Sequence, residues 1–128
     1  MKKQDPTPEN ILEQMSMQLS DRFVEIQEIE SDLSAIISRN SIVDIAAKVE
    51  VYQLMLDGSF QGYKNLQDQI DLLGKSLKIM SDSGEHNKLN SSFKKNLKSL
   101  PVELSYLNKR FDDVKKLCAR FIADIYKH

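Results

Sequence analysis

Residues 41–80 read SIVDIAAKVEVYQLMLDGSFQGYKNLQDQIDLLGKSLKIM. Within them Ile45, Val49, Tyr52, Leu56, Ser59, Tyr63, Leu66, Ile70, Leu73, Leu77 and Met80 fall at alternating steps of four and three. Such a spacing, averaging 3.5 residues, holds one narrow seam against a partner helix over many turns. Only Ser59 interrupts the apolar set, and Phe60 stands beside it. Asp57-Gly58-Ser59-Phe60-Gln61-Gly62 looks locally like a turn, and each Gly costs a helix about 1 kcal/mol against Ala. Yet Leu56 and Tyr63 remain one heptad apart across it. The preserved phase predicts one long helix over 41–80; the alternative is four helices with a break near Gly58.

Working outward, the same spacing recurs on both sides. The N-terminal run is Leu12, Met15, Leu19, Arg22, Ile26, Ile29, Leu33 and Ile36. Arg22 is its polar member, with Phe23 beside it to take the core place and an aliphatic stem that covers apolar surface. Glu13, Asp21, Glu25, Glu28 and Asp32 occupy outward positions. Thr7-Pro8-Glu9 reads as a start signal: Thr caps, Pro suits the first helical position, and Glu favours the positive end of the helix dipole. The C-terminal run is Phe93, Leu97, Leu100, Leu104, Leu107, Phe111, Val114, Cys118, Phe121 and Ile125. Pro101 lies inside it and predicts a kink, since the phase continues past it.

Polar segments separate the runs. Arg39-Asn40-Ser41 makes the first turn, and Ser41 to Asp44 has capping-box spacing. Residues 81–87 make the second turn, with Asp82 or Ser83 available to cap the next helix. The expected fold is therefore all-α: three long antiparallel helices, near 8–38, 41–80 and 86–127, in an up-down-up coiled-coil-like bundle. Residues 1–6 are expected to form a disordered tail and 7–128 a single domain. The second and third helices should outrun the first as a two-helix stalk, or be covered there by a partner.

Composition agrees with this reading. Apolar residues make up 41% and charged residues 29%, a globular balance that argues against disorder over most of the length. Four Gly and three Pro suit long helices. The single cysteine, Cys118, allows no intramolecular disulfide and sits on the seam as a small apolar side chain. The start lacks the apolar stretch of a signal peptide, and no window is apolar enough to span a membrane. A cytoplasmic setting is expected.

Net charge is −1 but uneven. Residues 1–40 hold eight acids and four bases, whereas 85–128 hold five acids and ten bases. Side-by-side packing of the first and third helices would absorb that asymmetry. The alternative use of Lys94, Lys95, Lys98, Lys109, Arg110, Lys115, Lys116 and Arg120 is a phosphate-binding face. Asp112 and Asp113 interrupt the stripe, the chain is acidic overall, and no aromatic residue obviously projects among the lysines for base stacking, so nucleic-acid binding is disfavoured.

No catalytic, metal or cofactor motif emerges. Asp82, Glu85 and His86 form only the loose grouping common in polar turns, and neither His86 nor His128 has a partner at ligand spacing. No enzyme is expected, and no cofactor or metal.

The informative excess lies in 42–56. Ile42, Val43, Ala46, Val51, Leu54 and Met55 are apolar beyond what one seam requires. Either the helix is flanked on both sides within its own chain, or this surface meets another protein. The expected function is a non-enzymatic protein-interaction module, a chaperone or adaptor. It would bind a partner helix through these residues, or pair as a homodimer. Alternatives are a structural subunit of a larger assembly and, below it, a nucleic-acid-binding regulator.

Overall fold

In a computed structural model the chain forms three helices: α1 (Pro8–Arg39), α2 (Val43–Asp82) and α3 (Ser91–Lys127). The structure describes residues 7–39, 42–82 and 91–127. The tail at 1–6, the capping box at Ser41, and Ser83, Glu85, His86 and His128 lie outside these described residues. The architecture is the expected all-α, three-helix bundle.

The seams build its core. Leu12, Met15, Leu19, Ile26, Leu33 and Ile36 are buried from α1. Val49, Leu56, Tyr63, Leu66, Ile70, Leu73 and Leu77 are buried from α2, with Ile45, Tyr52 and Met80 packed against them. Phe93, Leu100, Leu104, Phe111, Cys118 and Phe121 complete the cluster from α3. α2 forms the larger interfaces with both neighbours, and α1 and α3 touch least. It is therefore the central helix, flanked on two sides.

Local chemistry explains the ends and the continuity. Thr7 caps α1: its Oγ1 accepts from the Asn10 backbone N–H at 3.2 Å, and its carbonyl accepts from Ile11 N–H at 3.0 Å. α2 runs unbroken through Gly58 and Gly62, and α3 runs unbroken through Pro101. At both places seam burial on either side outweighs a local propensity cost of about 1 to 3 kcal/mol.

Two expectations are corrected. Asp82 ends α2 rather than capping α3, whose helix begins at Ser91. Glu9 and Leu12 of α1 share a cleft with Gly74, Leu77, Lys78 and Asp82, so the first turn of α1 lies beside the last turns of α2. The acidic and basic helices are not chiefly each other's partners, since the α1–α3 interface is the smallest of the three.

That small interface does hold charge. Lys115 Nζ lies 3.6 Å from Glu25 Oε1 and 3.5 Å from Asp112 Oδ1, and sits over the Phe111 ring at 5.2 Å. Arg22 Nε is 3.1 Å from Glu25 Oε2, although neither atom completes a directed hydrogen bond. Half-buried Arg22 thus takes its seam place beside a carboxylate. Phe23 stacks edge-on against Phe60 at 5.4 Å and Tyr63 at 6.4 Å.

The two central glycines differ, and that difference yields a stability prediction. A Cβ added to Gly62 would lie 2.6 Å from Leu107 Cδ2, whereas one added to Gly58 would meet nothing within 4 Å. Gly58→Ala should gain about 0.5–1 kcal/mol from helix propensity. Gly62→Ala should forfeit that gain in displacing Leu107, leaving about 1 kcal/mol between the two variants in urea denaturation. Equal midpoints would show that α3 does not approach α2 at Gly62.

Candidate interaction groove

The excess apolar residues of α2 do not share one fate. Val51 and Met55 line a cleft of about 370 Å³ with Tyr52, Leu117 and Phe121, between α2 and α3. Leu54 and Met55 line a second, of about 210 Å³, with Gly58, Leu107 and Val114. Met55 is common to both, so the two clefts are neighbours and together make up an apolar groove between α2 and α3. Along α2 it runs from Lys48 to Ser59, about 17 Å at 1.5 Å per residue.

Its depth follows from the seam. Tyr52 and Phe121 stack with ring centroids 4.7 Å apart and form the floor at one end. The next residues outward, Val51, Met55 and Leu117, stand on the two rims. Gly58 contributes no side chain, which leaves the other end open. Val51 is 50% exposed, Leu54 67% and Met55 37%.

Of the other singled-out residues, Ile42 and Val43 are exposed at the start of α2, and Ala46 is half-buried. None of these three lines the groove. Leu117 was missed because it lies beside the seam residue Cys118, and its apolar neighbours along α3, Val114 and Phe121, read as members of the seam. Its importance comes from the facing helix.

The groove also carries charge. Lys48 and Arg120 stand on opposite walls of one cleft, joined by Asp124, and Arg110 lines the other. Arg110 packs over the exposed Tyr106 ring at 5.8 Å. Among the described residues, no carboxylate forms a salt bridge with Lys48, Arg110 or Arg120. By contrast, Arg22 and Lys115 are paired within the chain. Both belong to the α1–α3 side, so Lys115 leaves the basic stripe and Arg110 and Arg120 join the groove.

A further cleft, of about 430 Å³, lies between α1 and α2 and has the opposite sign. Phe23, Val24, Leu56 and Phe60 line it together with Glu30 and Asp57. Burial raises the Glu30 carboxyl above its ordinary pKa, and the nearby Asp57 charge adds to this.

Among the described residues no group of three or more His, Cys, Asp or Glu is placed to hold a metal. No helix there is long and apolar enough to cross a membrane. Cys118 is buried, and burial, followed by the charge of Glu30, pushes its thiol up to about 11. A protonated, covered thiol is a packing group rather than a nucleophile.

Together these features define a three-helix antiparallel bundle with an apolar, basic-rimmed groove on its α2–α3 side. No family model, curated protein or solved structure matches the chain.

Proposed function

We propose that this chain is a non-enzymatic protein-interaction module, an adaptor or chaperone, that receives a helix from another protein in the α2–α3 groove. The observation carrying this reading is the apolar lining of two neighbouring clefts that share Met55: Val51, Leu54, Met55 and Leu117 stand exposed around them, and Tyr52 and Phe121 stack to floor one of them. A helix laid there would insert alternate apolar side chains over about three turns. Seams already built at heptad spacing accept a further helix with little rearrangement. A cytoplasmic setting accompanies the reading, in keeping with a chain that needs no disulfide to build its core.

The test is a photo-crosslinking amino acid at Met55 in the full chain, expressed in its source cells, with Ile79 as the control position. Ile79 is also exposed and apolar but lies toward the opposite end of α2. A partner adduct is expected from position 55 and none from 79. Val51→Asp with Leu54→Asp should weaken that complex by at least about 2 kcal/mol. Both positions are half or more exposed, so the thermal midpoint of the free protein should barely move. No adduct at 55, or equal adducts at both positions, would remove the proposal.

A further inference from the structure

We infer that the helix received by this groove is acidic on both flanks and belongs to a different protein, not to a second copy of this chain. The inference rests on the interaction reading above and adds the chemistry of the partner.

Charge supplies the first argument. Lys48 and Arg120 project from opposite walls of the Tyr52–Phe121 cleft, so a helix lying between them meets a cation on each side. Arg110 lines the other end. Asp124 is the single carboxylate of the lining, against three cations. An occupant with basic flanks would place like charges together beside an apolar floor, where desolvation strengthens the repulsion. Acidic flanks would instead neutralise cations that have no ion pair among the described residues.

Spacing makes the inference specific. Arg110 and Arg120 are ten residues apart on α3, about 15 Å along its axis. A helix running along the groove would answer them with carboxylates about ten or eleven residues apart. A third carboxylate on its other flank would face Lys48. Between them would lie apolar residues at steps of three and four, packing on Val51, Met55 and Leu117. The open surface at Gly58 lets the occupant's backbone come close at that end.

The same geometry argues against a second copy. Two basic grooves facing each other across a twofold axis would bring the cations of one, Lys48, Arg110 and Arg120, against those of the other. The chain's own apolar and acidic counterpart, lined by Val24, Phe60, Glu30 and Asp57, is itself a cleft. Two clefts do not interdigitate.

The decisive experiment sequences the segment crosslinked at position 55 in the full chain. It is then repeated with Lys48→Glu, Arg110→Glu and Arg120→Glu together, all three side chains being exposed. The expected segment comes from another protein, has helical apolar periodicity and carries acidic flanks. Charge reversal should cut adduct yield by at least about tenfold, and changing the partner's flanking acids to Lys should restore it. An unchanged circular dichroism melt would show that the reversed variant folds. A neutral or basic segment, a segment of this chain, or an adduct indifferent to reversal would overturn the acidic-partner inference while leaving the groove as an interaction site. Absence of any adduct would remove both.

Discussion

Tyr63→Ala is expected to cost the fold about 3–5 kcal/mol, a large share of the stability of an ordinary domain. Tyr63 is fully buried on the central helix, where all three helices meet. Its ring packs edge-on against Phe111 of α3 at 5.8 Å and against Phe23 of α1 at 6.4 Å. Its hydroxyl donates to Asn108 Oδ1 of α3 at 2.7 Å. Truncation therefore opens a cavity bounded by rings that cannot all collapse into it, and also frees the half-buried Asn108. Tyr63→Phe keeps the ring contacts and removes only the hydroxyl, at about 1 kcal/mol. Urea denaturation should show both shifts, with little change in slope for Tyr63→Phe. If the two variants matched, the hydrogen bond rather than the packing would hold this junction.

Tyr63 also shows why much of this fold was legible in the sequence. A step of 3.5 residues puts every seam position on one side of its helix, whatever the residue's own propensity. The seam thus named Tyr63, Leu66 and Cys118 as core, and carried α2 through Gly58 where turn chemistry pointed to a break. Relations between helices were less legible. A heptad states which side is inward but not which neighbours pack most closely, so the charge asymmetry pointed to an α1–α3 pairing that is in fact the smallest interface. A central helix has two inward sides, and sequence alone does not show where one ends. Ala46 is half-buried, Val51 and Met55 edge a groove, and Val43 is almost free, although all four looked alike as excess apolar residues. Along α3, Leu117 read only as a neighbour of the seam and Arg120 only as part of a basic stripe, because their place beside the groove depends on residues of α2 far away in sequence.

The second large effect is alkaline. Burial pushes the Tyr63 phenol from 10 up to about 12, with Arg22 opposing the shift and Asp112 and Glu25 adding to it. Burial, then Glu30, pushes the Cys118 thiol from 9 up to about 11. Both groups hold their protons more tightly in the folded chain than in the unfolded one. As pH rises the unfolded state therefore releases protons first, and stability falls. The contribution is complete below about pH 9. It declines as unfolded Cys118 ionises, steepens above about 10 as unfolded Tyr63 follows, and is exhausted near 12. Each two-unit gap corresponds to about 3 kcal/mol, so the two together rival the loss on truncating Tyr63. Urea midpoints measured from pH 7 to 11 should be level to about 9 and then drop. Cys118→Ala should delay the onset to about pH 10, and adding Tyr63→Phe should remove most of the remaining slope. Both substitutions also lower stability at neutral pH, through the cavity and the lost hydrogen bond. The prediction therefore concerns the slope, which separates proton linkage from packing. A doubly substituted protein that still lost stability as steeply between pH 9 and 11 would place the alkaline sensitivity elsewhere, and would mean that these two groups are more hydrated than their burial implies.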